Sequence, residues 1–147
     1  CIRLPKPYCE TLERGKSFEK SITKLRSLIL EPMQWGNLFL AGDAAHIMPP
    51  TGAKGLNLAF SDVFYLSEGF ISYYKKGSST KLKNYSKTTL KRVWKTVRFS
   101  KWMTSILHNS SENSLIERNL NTLELEKIKK SKNAQKLVAE QYVGAPY

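Results

Sequence analysis

Asn37-Leu38-Phe39-Leu40-Ala41-Gly42-Asp43-Ala44-Ala45-His46, continued by Ile47-Met48-Pro49-Pro50-Thr51-Gly52-Ala53-Lys54-Gly55-Leu56-Asn57, decides how this chain reads. It opens as a short apolar run of strand length between Gly36 and Gly42. A turn follows with one carboxylate, Asp43, and then two prolines and two glycines fix a loop. From Lys54 onward the pattern becomes helical. Strand, acidic turn, stiff loop and helix start together outline a ligand site. The helix end supplies unpaired backbone N–H groups and a partial positive charge.

On the N-terminal side, residues 1–17 carry two prolines and Gly15 and show no period, so they read as an opening segment without a place. Ile22, Leu25, Leu28, Ile29 and Leu30 fit neither period cleanly, and the stretch from Ser21 to Leu30 reads as strand. Arg26 lies inside it, either as a solvent-facing strand residue or as a contact for an anion. Glu31 to Gly36 reads as a turn, because Pro32 biases Glu31 away from helix.

Downstream, Leu56, Ala59, Phe60, Val63, Phe64, Leu66 and Phe70 recur at helical spacing and predict a helix to about Tyr74. Lys75-Lys76-Gly77 supplies a basic last turn and a stop. Ser78-Ser79-Thr80 offers a cap for a second, long helix with Leu82, Tyr85, Leu90, Val93, Trp94, Val97, Trp102, Ile106 and Leu107 as its apolar face. Its aromatic residues read as packing, within the chain or against another subunit, rather than as a cofactor box. A third helix is expected from near Asn113, and a last short one over Asn133–Tyr142.

The chain has 147 residues, 41% of them hydrophobic, which is enough for one ordinary core. No apolar run approaches the ~18 residues of a membrane span, and no signal-peptide core opens the chain. Cys1 and Cys9, the only cysteines, read as free thiols of a cytoplasmic protein. The first residue is not Met, which favours a piece of a longer chain. Net charge is +12, with 24 Lys+Arg against 12 Asp+Glu. The cations are dispersed, without an arginine-rich tract or aromatic-studded RNA motif, so no nucleic-acid partner is expected. Such a charge does favour an anionic substrate by steering.

Leu40 to His46 followed by Pro49 to Asn57 resembles the FAD-dependent aromatic hydroxylases, and the Pro-Pro-Thr-Gly-Ala-Lys-Gly-Leu-Asn part resembles their 4-hydroxybenzoate 3-monooxygenase branch. Further matches follow in order. They comprise Glu19-Lys20-Ser21-Ile22, Leu25-Arg26-Ser27, Glu31-Pro32-Met33-Gln34, Arg92 to Lys95, Arg98-Phe99-Ser100, Trp102 to Ser105 and Tyr142 to Tyr147. The resemblance runs from about Phe18 to Tyr147. It implies an α/β piece: the C-terminal part of a Rossmann-like FAD-binding monooxygenase, with two short strands followed by a long-helix, α-rich tail. Residues 18–76 would close the substrate and FAD-binding part, and residues 77–147 would form a helical interface region.

The implied chemistry is NADPH- or NADH-driven use of O2 to hydroxylate 4-hydroxybenzoate to 3,4-dihydroxybenzoate. By resemblance, Asp43 would accept from the ribityl hydroxyls of FAD, and Leu56 and Asn57 would present N–H groups to the pyrimidine edge of the flavin. Gly52 and Gly55 would let the backbone approach the ring. Pro50 would turn its carbonyl toward the substrate hydroxyl. Tyr142 would pass on the phenolic proton, and Arg26 would meet NADPH. A homodimer through the C-terminal helices is implied as well. His46 with Asp43 is too thin a pair for a metal site and reads as packing in the turn.

The Gly-x-Gly-x-x-Gly fingerprint that seats the FAD pyrophosphate has no counterpart among the eight glycines. The family's substrate-carboxylate arginine and its partner tyrosine are absent too. Alternative readings are a non-catalytic remnant or dimerisation fragment of such an enzyme, or a hydroxylase of another aromatic acid.

Overall fold

The structure, a computed structural model, describes residues 5–13, 15–22, 26–108 and 114–144, except the side chains of Lys6 and Cys9. Helices dominate it. A five-residue helix α1 (Lys6–Glu10) lies in the segment that sequence reading left without period, with Pro at the start of its first turn. Four two-residue strands follow: β1 (Leu28–Ile29), β2 (Gln34–Trp35), β3 (Leu38–Phe39) and β4 (His46–Ile47). β1 pairs antiparallel with β4, and β2 pairs antiparallel with β3 across the Gly36-Asn37 turn. The expected strand over Ser21–Leu30 shrinks to β1 among the described residues, and Glu31–Gly36 contributes a strand as well as a turn. No parallel ladder is present among the described residues. Two-residue ladders this short cannot carry a crossover sheet, so the α/β expectation reduces to a helical body with two small hairpin-like ladders.

The helices that follow are α2 (Gly55–Lys76), the four-residue α3 (Thr80–Lys83), α4 (Tyr85–Leu107), α5 (Leu115–Lys130) and α6 (Lys132–Val143). α2 ends where Lys75 and Lys76 place cations in the last turn, and the Gly77 N–H closes on the Tyr73 carbonyl at 2.9 Å. The single long second helix expected from Thr80 is two helices meeting at Asn84. α5 starts at a capping box: Ser114 accepts from the Glu117 N–H, and the Glu117 carboxylate accepts from the Ser114 N–H at 2.9 Å. Asn113, where that helix was expected to begin, lies outside the described residues, as do Cys1 and Ala145 to Tyr147.

The core joins the ladders to the helices: Met33, Ala45, Leu58, Tyr85, Leu90 and Val93 are buried together. Ser86 of α4 accepts the Met33 N–H through its hydroxyl at 2.9 Å, which docks the turn after β1 onto that helix. Tyr85 packs edge-on to Phe39 with ring centroids 5.7 Å apart and donates its hydroxyl to the Leu40 carbonyl at 2.7 Å. Burial, with the Asp62 charge adding to it, raises the Tyr85 pKa, so the phenol stays a donor. α2 meets α3 so closely that a Cβ on Gly69 would stand 2.6 Å from Leu82 Cδ2.

The apolar face predicted for α2 is not the buried one. Leu58, Ser61, Asp62 and Gly69 are buried, whereas Leu56, Phe60 and Val63 are 70, 62 and 57% exposed. The helix is apolar on most of its circumference, so spacing alone could not choose the face that meets α4. The aromatic residues of α4 divide similarly: Tyr85 and Phe99 pack inside, while Trp94 is half exposed and donates to Glu31 at 3.3 Å.

Tyr85→Phe keeps the edge contact and removes the bond to Leu40. Stability should fall by about 1 kcal/mol, read as a lower urea midpoint with unchanged slope.

Candidate flavin-facing site

Gly42 opens a single 3-10 turn, Gly42–Ala44, with φ +61°, a left-handed conformation that its missing side chain permits. A Cβ there would also lie 3.5 Å from the Ala59 Cβ on α2, so the turn sits close on that helix. Two bonds fix its far end: the Ala45 N–H reaches the Gly42 carbonyl at 2.9 Å, and the Ala45 carbonyl takes the Leu30 N–H at 2.8 Å. The Gly42 N–H donates to Asp62 Oδ2 at 2.8 Å, and His46 Nε2 lies 2.8 Å from the same oxygen. His46 and Asp62 are both buried. Asp43 itself is exposed, and its carboxylate has no partner among the described residues. Among the described residues no cluster of three metal-ligating side chains occurs, and His46 is engaged with Asp62.

The loop after β4 contains a tight turn in which the Ala53 N–H bonds the Pro50 carbonyl at 2.8 Å. Gly52 has φ +85°, which fits the third position of a type II turn. Ala53 follows at φ +50°, a conformation that L side chains rarely adopt. The turn lies against α4, since a Cβ on Gly52 would come within 3.8 Å of the Phe99 ring and the Ser100 hydroxyl oxygen. Pro50 is exposed, and one lone pair of its carbonyl is taken by Ala53.

Lys54 precedes α2 and is only 8% exposed. Its ammonium stands over the Tyr142 ring, 4.7 Å from the centroid, and Tyr142 meets the Phe99 ring edge-on at 6.3 Å. Phe99 in turn packs on Trp102 at 5.8 Å. The C-terminal helix is thus brought to the Pro-Thr-Gly loop through one cation and three rings. Burial, reinforced by the like charge of Arg92, lowers the Lys54 pKa.

At the start of α2 no side chain caps the helix, and the N–H groups of Gly55, Leu56 and Asn57 find no acceptor among the described residues. Leu56 and Asn57 are exposed, and a Cβ built on Gly55 meets nothing within 4 Å. Three free donors at a helix N-terminus and a free carboxylate on the adjoining turn match the two ends of a flavin's polar needs. The ring edge carries carbonyl and imine acceptors, and the polyol chain carries hydroxyl donors. FAD therefore fits the donor set. Arg26 stands apart: it is exposed, and no bond or ring contact of the described residues joins it to this loop. A separate open groove lies between Glu31, Pro32, Lys87 and Trp94.

Sequence reading missed Asp62, Lys54, Phe99 and Ser100 as parts of this neighbourhood. Asp62 had a signal: it falls one helical turn after Leu58, and a carboxylate on that stripe needs partners. Lys54 had none, because the ring it meets, Tyr142, lies on α6, far along the chain.

The chain belongs to the FAD-binding domain family of flavin-dependent hydroxylases, which it matches over residues 3–100. It is 52% identical over 145 residues to p-hydroxybenzoate hydroxylase of Acinetobacter baylyi, a match covering 99% of this chain and 36% of that protein. Rifampicin monooxygenase of Streptomyces venezuelae is 69% identical over 29 residues, 20% of this chain and 6% of its own length. Para-nitrophenol 4-monooxygenase of a Pseudomonas species is 46% identical over 46 residues, 31% of this chain and 11% of its own. The chain thus spans about a third of the length of the first of these relatives. No described helix is long and apolar enough to cross a membrane.

Because the folded state disfavours charge on Lys54, the unfolded chain binds that proton more tightly. Stability should therefore rise as pH climbs from the lowered Lys54 value toward 10.5. Compared between about pH 8 and about pH 9.5, below the tyrosine range, the urea midpoint should rise in wild type relative to Lys54→Met. Parallel profiles would remove Lys54 as the cause.

Proposed function

We propose that this chain supplies the ring-facing part of the flavin site of an aromatic hydroxylase acting on 4-hydroxybenzoate, with NADPH or NADH and O2 as co-substrates. The observation that carries it is the pairing of free Gly55, Leu56 and Asn57 N–H groups with the free Asp43 carboxylate around one helix start. The sequence likeness to a protein named p-hydroxybenzoate hydroxylase supports the substrate.

FAD, when bound and reduced by the nicotinamide, supplies the oxygen-activating chemistry. The chain's own residues bind and orient. The Asp43 carboxylate accepts from polyol hydroxyls. Leu56 and Asn57 donate N–H to the pyrimidine edge, where the positive end of α2 and the nearby Lys54 ammonium favour negative charge. Gly52 and Gly55 keep side chains off the approaching ring. Pro50 offers the remaining lone pair of its carbonyl to the substrate hydroxyl, in a loop that its own ring and the Ala53 bond hold still. Tyr142, seated between Lys54 and Phe99, takes up the phenolic proton and hands it to solvent. Arg26 meets the nicotinamide cofactor's phosphates from its exposed place before β1. Residues 18–76 then form the end of a Rossmann-like FAD-binding part, and residues 77–147 its helical interface.

A homodimer through the C-terminal helices belongs to the same reading. Leu115, Ile116, Leu120 and Leu123 of α5 are 76, 71, 59 and 62% exposed, and apolar side chains grouped in this way mark interaction surfaces.

The test is a chimera in which this chain replaces the matching segment of the Acinetobacter baylyi relative. It should fold, bind FAD and hydroxylate 4-hydroxybenzoate with nicotinamide consumption. A folded chimera without bound flavin or product would refute the proposal. In that chimera Asp43→Ala should weaken FAD retention at least roughly tenfold, the loss of a charge-assisted bond of about 1.5–3 kcal/mol. Unchanged FAD content would take Asp43 out of the site.

A further inference from the structure

Asp62 lies outside the Gly-Asp motif, 20 residues beyond Gly42, yet the motif's turn hangs on its carboxylate. The side chain is fully buried, and a single oxygen, Oδ2, serves both the Gly42 N–H and His46 Nε2 at 2.8 Å each. The two donors bracket Asp43, one directly before it and one three residues after. One carboxylate therefore ties both ends of the turn to α2, the helix whose first turn holds the free N–H groups. The other polar atoms of the pair, Asp62 Oδ1 and His46 Nδ1, are buried without a hydrogen-bond partner among the described residues. The hydrogen bonds of both side chains are thus spent on the turn.

Burying a carboxylate with so few donors is costly, and a leucine of similar size would pack there without that cost. Geometry is what the arrangement gains. We infer that Asp62, with His46, is a positioning pair that sets the Gly42–Asp43 turn on α2 and thereby aims the Asp43 carboxylate at the flavin's polyol chain. The aim at the polyol rests on the flavin reading above; the setting of the turn does not.

The experiment uses the full 147-residue chain, isotope-labelled, in two arms. In the first, amide hydrogen exchange is followed by NMR without ligand. Asp62→Asn keeps the shape but replaces a charge-assisted acceptor with a neutral one, roughly half as strong, so Gly42 exchange should quicken about tenfold. Amides of α4 should be unchanged. Unchanged Gly42 exchange overturns the pair. An equal rise throughout α4 also overturns it, since Asp62 is then a general stabiliser. Where Asp62→Asn fails to fold, His46→Gln, which retains an N–H donor, should preserve Gly42 protection and His46→Leu should lose it. Equal behaviour of those two variants overturns the pair.

In the second arm the chain is titrated with riboflavin, which carries the polyol, and with lumichrome, which has the ring system alone. Riboflavin should shift the Asp43 amide, and Asp62→Asn should weaken riboflavin about fivefold, by the same loss of charge assistance, while lumichrome is unaffected. A selective rise in Gly42 exchange with unchanged riboflavin affinity overturns the aim at the polyol. If wild type binds neither probe, the comparison moves to the chimera above, where Asp62→Asn should weaken FAD retention about fivefold and unchanged retention overturns the aim at the polyol. Gly42 exchange then still decides whether Asp62 sets the turn.

Discussion

A carboxylate shut away from water must be met by donors, and Asp62 takes them at Oδ2, a backbone N–H and an imidazole from the segment it packs against. Much of the first half of the chain follows from this constraint. The donor on Gly42 requires the left-handed turn, the turn brings Ala45 into the core, and Ala45 accepts from Leu30 to align β1 with β4. Two-residue ladders have little stability of their own. They persist because α2 and α4 cover them, with Met33 and Tyr85 as the buried anchors.

The loop from Pro50 to Lys54 solves a different problem. It must carry the chain from a strand to a helix start while keeping that start uncapped. Two successive positive φ angles, at Gly52 and Ala53, make the reversal, and Lys54 lands where a capping side chain would otherwise sit. Serine, aspartate or asparagine at this position would satisfy one N–H internally. A lysine cannot accept, so the donors stay open. The cost falls on Lys54, whose charged form is held in a poorly solvated place and partly compensated by the face of Tyr142.

The sequence was legible where the chemistry is local. The Gly-Asp turn, the proline–glycine loop, the helix start at Lys54–Gly55 and the basic stop of α2 all rest on neighbours within a few residues, and the structure has each of them. It was not legible where the answer depends on a distant surface. α2 is apolar on several sides, and only the position of α4 decides that Leu58 is inside and Phe60 outside. The antiparallel ladders escaped because two residues leave no period to read. The meeting of Tyr142 with Lys54 joins residues at opposite ends of the described helices, a contact with no trace in either local pattern.

The exposed apolar stripe of α2 and the open faces of α5 bear on the same point from the energetic side. Leu56, Phe60 and Val63 stand in water at the N-terminal half of the helix that bears the free N–H groups. A planar, largely apolar ring laid at that helix start would cover part of Leu56 while its polar edge took the N–H groups, so burial and hydrogen bonding favour one placement. The opposite end of α2 ends in backbone carbonyls, which are acceptors and offer no N–H group to the same polar edge. In the proposed reading, polarity of the helix, more than the identity of any one side chain, selects which end of this chain faces a flavin.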